Sequence, residues 1–144
     1  MDKVSGRIIN ADHSQSSFFS SPVPGCTFHP FSDPPKTVVL SVIDDYFTHA
    51  HNQPYSYFQE DSFRNKLQNE ALPRCLLLAV LALAVRYSTN AFYTGRTLEA
   101  SGVYAREAWL AILQDELILE DNMTLHVVQA ANILAVVDYT GNTL

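Results

Sequence analysis

The chain has 144 residues, the length of one ordinary domain, and 47% of them are hydrophobic, which supports a real core and excludes global disorder. Lys and Arg number 9 against 15 Asp and Glu, a formal net charge of -6. That sign excludes a chain that grips nucleic acid by itself, because affinity for phosphate comes from clustered Lys and Arg.

Glycine is sparse at 5, which disfavours a loop-rich β fold. No basic run marks an anionic membrane or a nuclear import signal. Cys26 and Cys75 are far apart in the sequence. Two such thiols make neither a zinc pair nor a disulfide framework, and they read as reduced intracellular cysteines.

Residues 1–33 read as a flexible Ser/Pro-rich leader. Ser14 to Ser21 is SQSSFFSS, and Pro22, Pro24, Gly25 and Pro30 follow. Such composition favours extended or turn structure. The first residues lack the continuous apolar core of a signal peptide, so secretion is not expected. Phe18, Phe19, Phe28 and Phe31 are too many aromatics for a purely solvated tail and are expected to pack intramolecularly.

Residues 34–144 read as the folded part. Helix one is expected from near Pro35 to about His49, with Val38, Val39, Val42, Ile43, Tyr46 and Phe47 as its apolar stripe. It stops before HNQP, where Asn52 and Pro54 signal a turn. Helix two opens with Glu60, Asp61 and Ser62, residue types that suit an N-terminus. Phe63 and Leu67 form its apolar face, and Arg64 and Lys66 are expected in solvent.

Leu72 to Ser88, LPRCLLLAVLALAVRYS, is the longest apolar run. Pro73 suits a first helical turn. The leucines and valines behind it cover every angle of the helical period, so this helix is buried on all sides or spans a membrane. The uninterrupted stretch, Cys75 to Val85, is too short for a span, which needs about 20 apolar residues. A central core helix is therefore expected.

Helix four is expected from between Thr97 and Ser101 to about Leu117. Tyr104, Ala108, Ala111 and Ile112 share its core face, with Trp109 and Leu113 broadening it. Glu99, Arg106, Glu107, Gln114 and Asp115 make its polar side. Helix five runs from Thr124, a plausible N-cap, to about Tyr139, with Gly141-Asn142 as the stop. His126, Gln129 and Asn132 make a narrow polar stripe on it. They form either a satisfied seam between helices or a face turned towards further helices. No Gly-rich phosphate loop, internal repeat or alternating strand is visible. The pattern predicts an all-α, antiparallel, irregular bundle of about five helices.

Three stretches together resemble a known family. They are DDYFTHAHNQPYSYFQEDSFRNKL (Asp44 to Leu67), LPRCLLLAVLALAVRYS, and YAREAWLAIL (Tyr104 to Leu113) followed by NMTLHVVQAANILAVVDYTG (Asn122 to Gly141). In this order they resemble the regulatory middle region of fungal zinc binuclear cluster transcription factors, often labelled xylanolytic transcriptional activator regulatory type. The matching positions are Tyr46-Phe47, the His51 to Phe58 turn, Ser62-Phe63 and Arg86-Tyr87-Ser88. The resemblance implies transcription regulation, a nuclear location and no enzymatic activity. Family members carry an upstream six-cysteine zinc cluster that binds DNA. Cys26 and Cys75 cannot build one, so zinc and DNA binding are implied for the family alone, and DNA is reached only indirectly. The family's region also continues with further helices, so the resemblance implies the N-terminal part of an incomplete regulatory domain. Expected partners are other proteins or additional helices of the same domain, with self-association and no membrane.

The rival from another class is a small helical metal-dependent or ligand-binding enzyme using Asp45, His49 and His51. Asp45 and His49 are i, i+4, a spacing two ligands can use. The simpler account is that Asp45 supports His49, and that His49 interacts with the C-terminal helix dipole. HNQPYSYF could wall a small pocket with Tyr55, Tyr57 and Phe58, and Asn52 or Gln53 as polar contacts. It reads more simply as a rigid turn whose Pro54, Tyr55 and Phe58 set the angle between helices one and two. A Ser88, His126, Asp138 triad has no nucleophile-elbow motif behind it. No catalytic, cofactor or metal residue is therefore assigned. Pro54, Tyr55, Phe58, Phe63, Arg86, His126, Gln129 and Asn132 are assigned structural or interaction roles.

Overall fold

A computed structural model describes residues 29–51, 57–118 and 125–141, with the backbone alone for residues 115–118. Among the described residues the chain is all-helical, with five helices and no strand. Helix α1 spans Lys36–Asp45, α2 Glu60–Gln68, α3 Arg74–Ala84, α4 Thr97–Ile118 and α5 Leu125–Gly141. No helix among these residues is long and apolar enough to cross a membrane.

Helix α1 starts one residue after Pro35, whose carbonyl accepts the N–H groups of Val38 and Val39 at 3.0 Å each. Val38, Val39, Val42 and Ile43 are buried as their spacing requires. The helix then widens into one π-helical turn, Tyr46–Ala50. The His51 N–H closes it on the Tyr46 carbonyl at 2.8 Å. The Thr48 hydroxyl donates to the Asp44 carbonyl at 2.8 Å, the kind of local back-bond that bends a helix. The wider turn brings both Tyr46 and Ala50 into the core.

Helix α2 buries Phe63 and Leu67. It ends in a Schellman motif. The Ala71 N–H reaches back to the Lys66 carbonyl at 2.8 Å and the Glu70 N–H to Leu67 at 3.2 Å. Glu70 takes the left-handed position that closes it, with φ 54°. Arg64 is not simply solvated as its sequence context suggests. It pairs with Asp44 and Glu60 at 2.9 Å each and lies over the Phe47 ring at 5.3 Å, which ties α2 to α1.

Helix α3 is the centre. Every residue from Cys75 to Ala84 is buried, and so is Val85 in the 3-10 turn that follows, Val85–Tyr87. Pro73 sits at the N-cap and leaves the first turn to Arg74. Helix α3 packs against α4, α5 and α1, and that enclosure is why all its sides are apolar.

The chain reverses between α3 and α4 through polar local bonds. The Ser88 hydroxyl accepts the Asn90 N–H at 3.1 Å, and the Asn90 side-chain oxygen accepts the Phe92 N–H at 2.9 Å. Thr94 and Gly95 then take φ of 48° and 79°. Tyr93 and Tyr104 meet below this turn, with their hydroxyls 2.9 Å apart. Burial pushes the Tyr93 hydroxyl up to about 12 and raises that of Tyr104 further. Ahead of α1, Phe31 is buried against Phe92 and Tyr93, and His29 reaches Glu99 at 3.1 Å. Residues 1–28 of the leader lie outside the described residues.

Helix α4 turns Tyr104, Ala108, Ala111 and Ile112 inward. Trp109 and Leu113 do not broaden that face; they are 38% and 54% exposed. Helix α5 includes Gly141 in its last turn instead of stopping before it. Its N-cap candidate Thr124, and Asn142, lie outside the described residues.

Candidate interaction surface

Helices α4 and α5 each pair one covered side with one apolar side that nothing among the described residues covers. On α4, Leu98, Trp109, Leu110 and Leu113 stand out into solvent. On α5, Val127, Ala130, Ile133, Leu134 and Val137 are buried, while Leu125 and Tyr139 are 70% and 76% exposed and Val128 is 40% exposed. Val136 is half-buried against the core. Leu125 and Val128 thus carry the uncovered side of α5. Ile133 and Val137 belong to the core instead, because they lie on the side that meets α3.

Between α4 and α5 lies an open groove of about 640 Å³. Ser101, Gly102 and Ala105 line it, with Leu98 and Trp109 from the same helix and Val137 from α5. Arg86 closes one end. Its Nε donates to the Ser101 hydroxyl at 3.1 Å, and one Nη donates to the Val137 carbonyl at 2.8 Å. The other Nη donates to the Thr140 hydroxyl. Ser101 passes its own proton to the Ala82 carbonyl at 2.6 Å. One guanidinium thus joins the end of α3, the first turns of α4 and the last turn of α5. Burial lowers its pKa, against the pull of Tyr87 and Asp138, but no shift of that kind discharges an arginine.

The second cluster joins α1 to α2. Tyr46 is buried and meets Phe47 edge-on at 4.9 Å. Phe63 meets Phe47 at 5.5 Å and Phe58 at 5.0 Å. Phe58 is half-buried and also faces Tyr46 at 6.0 Å. Burial raises the Tyr46 hydroxyl to about 12, with Tyr57 adding to it. Pro54 and Tyr55 lie outside the described residues, as do Asn52 and Gln53.

The metal-capable residues do not converge. Among the described residues no three His, Cys, Asp or Glu side chains are grouped to hold an ion. His49 is exposed and stacks on Tyr87 at 5.2 Å. His51 turns to Phe47 at 5.1 Å, and its Nδ1 is buried without a hydrogen-bond partner among the described residues. Burial raises the Asp45 carboxyl, against the opposing pull of His49 and the Ser88 hydroxyl.

The polar stripe of α5 divides. Gln129 is half-buried and donates to the Tyr57 carbonyl at 3.1 Å, which fastens α5 to the approach to α2. His126 and Asn132 are exposed. Sequence reasoning missed Ser101 and Gly102. A serine followed by a glycine inside an apolar helix is a weak sign of close approach, and it is the one signal that could have marked the groove.

No solved structure matches the chain. An uncharacterized transcriptional regulatory protein of the fission yeast Schizosaccharomyces pombe is 41% identical over 54 residues, which span 38% of this chain and 7% of that protein. The matched part is thus a small piece of that much longer relative. Residues 43–143 match the fungal specific transcription factor domain. That match takes in α2 to α5 and the π-helical turn, and the chain therefore belongs to the fungal specific transcription factor domain family, which regulates transcription and is not enzymatic.

Proposed function

We propose that this domain acts in the nucleus as a protein-interaction module of transcription control. It reaches DNA only through a zinc cluster carried outside these 144 residues. The observation that carries the reading is the bare apolar flank of α4 and α5, with Leu98, Leu110, Leu113, Leu125 and Tyr139 all at least half exposed. Of the exposed apolar residues, Leu98, Trp109 and Leu110 line one groove, and exposed apolar patches mark interfaces. The net charge of -6 gives no electrostatic grip on a duplex. Phe58, Phe63, Arg86 and Gln129 hold the helices that present this surface. His126 and Asn132 lie beside Leu125 and Val128 on α5 and would border a partner. The same surface would bring isolated copies together. No zinc or other cofactor is required of this chain.

The test is to tether the chain to an unrelated DNA-binding domain and read a reporter. Reporter output should differ from that of the tether alone. Leu110→Glu with Leu113→Glu should abolish the difference and leave the melting temperature unchanged. Equal output from the wild type and the double variant would overturn the interaction reading. In mobility-shift titration the chain alone should not retard duplex DNA, and saturable, salt-sensitive retardation would reveal a basic surface.

A further inference from the structure

We propose that the groove between α4 and α5 is a docking site for an amphipathic helix whose apolar ridge is flanked by carboxylates. This rests on the interaction reading and adds the site and the chemistry of its occupant.

Gly102 is the first observation. Glycine in a helix interior weakens the helix, and it is tolerated where backbone conformation or a close neighbour demands it. Neither does so here. Gly102 keeps a negative φ, and a Cβ built on it meets nothing within 4 Å. At Gly141 the same atom would lie 3.1 Å from the Arg86 guanidinium, so that glycine has a reason inside the chain. No described residue accounts for Gly102, which leaves α4 without a side chain at this point of the groove.

The shape of the groove supplies the class of occupant. Along α4 the lining residues Leu98, Gly102, Ala105 and Trp109 follow i, i+4, i+7, i+11 spacing, so small residues lie between two large exposed ones. Eleven helical residues separate those two, about 16 Å along the axis, which is about three turns of a second helix. A floor without large side chains lets a helix backbone approach closely, and the exposed apolar ends then clamp its ridge. The groove's walls are helices, so no strand edge is present to pair with an extended peptide.

Charge decides between partners. Arg86 and Arg106 line the groove against one carboxylate, Asp138. On a chain of net charge -6 this is a local reversal of sign. Arg86 is bound to two hydroxyls and a carbonyl, all neutral. Arg106 is exposed and makes no ion pair among the described residues. A second copy docked through the same groove would bring two grooves of the same charge sign together, each with Arg86 and Arg106. A helix with glutamates beside its ridge meets both guanidiniums instead.

Trp109 is the single tryptophan, so its emission reports the groove directly. The probe is a synthetic peptide of about 14 residues, with an Ala/Leu ridge flanked by Glu, and a second peptide with Lys in place of Glu. Titration of the full chain with the Glu peptide should give a saturable blue shift. The Lys peptide should bind at least about tenfold more weakly. Gly102→Leu, which fills the floor while favouring the helix, should abolish the shift. Arg106→Glu, a surface change that keeps the fold, should reverse the order of the two peptides. The proposal falls if the Glu peptide gives no saturable shift, if both peptides bind alike, or if neither variant alters binding. A blue shift that grows with protein concentration alone would make a second copy the occupant. Binding that appears only after Phe18→Ser with Phe19→Ser would make the leader the occupant. A positive reporter assay with a failed titration would leave the interaction reading standing and remove the groove.

Discussion

The Arg86 guanidinium and the Ser101 hydroxyl are 3.1 Å apart, a bond that ties the end of α3 to the first turns of α4. Ser101 is buried and donates onward to Ala82. Arg86→Ala would break the bonds to Ser101, Thr140 and Val137 together. Hydrogen bonds that involve a charged group are worth about 1.5–3 kcal/mol, so a loss of at least that size is expected in urea melts. Arg86→Lys should recover less than half of it, because an ammonium cannot span the same fork. A lysine variant as stable as wild type would mean that charge at the end of α5, and not the fork, is what matters.

Phe63 and Phe58 share one aromatic cluster but not one degree of burial. Phe63 is 3% exposed, and Phe63→Ala should cost about 3–5 kcal/mol, as other large-to-small core changes do. Phe58 is only partly buried, so Phe58→Ala should cost less. Matched denaturant melts would show the order. An equal loss at both positions would mean that the connection closes over Phe58 in solution.

Glu70 holds a left-handed backbone conformation, φ 54°, where a side chain costs about 1–2 kcal/mol relative to a helical position. Glycine carries no such penalty but has more freedom to lose on folding. Glu70→Gly should therefore stabilise the domain by about 0.5–1 kcal/mol, read as a higher thermal midpoint. A lower midpoint would show that the Glu70 side chain contributes more than its conformation costs.

Glu99 is bound by Arg96 at 2.6 Å and 2.7 Å and by His29 at 3.1 Å. These partners, Arg96 first, hold its carboxyl below the usual 4.5. A carboxyl depressed in the folded state contributes stability above its unfolded value and loses it as pH falls through the folded value. The His29–Phe31 segment should therefore loosen as pH falls below the ordinary carboxylate range, with faster amide exchange at Phe31 and Ser32. Glu99→Gln should show the looser behaviour already at neutral pH. Exchange there that ignores both pH and the substitution would assign the segment's attachment to Phe31 alone.

The sequence determined the elements and the centre. A run such as Cys75 to Val85, apolar on every side, has no stable place except inside other helices, and the structure encloses it. Pro35, Glu60 and Pro73 mark starts that the helices keep within a residue or so. The stripe Val38, Val39, Val42, Ile43 needed nothing but its spacing. Where apolar residues wrap most of a helix, spacing says less. On α4 it picks out Ala108 and Ile112 as core but wrongly adds Trp109 and Leu113 to the same face. Only the position of α3 against Ala108 and Ile112 leaves Trp109 and Leu113 bare. The same holds for α5, where contact with α3 buries Ile133 and Val137 and leaves Val128 outside. The Arg86 clamp was likewise beyond the sequence, since its partners Val137 and Thr140 lie 51 and 54 residues further along. A local pattern fixes which residues are apolar, because backbone geometry is local. Which apolar residues are covered depends on what arrives from elsewhere in the chain, and that is decided only when the helices meet.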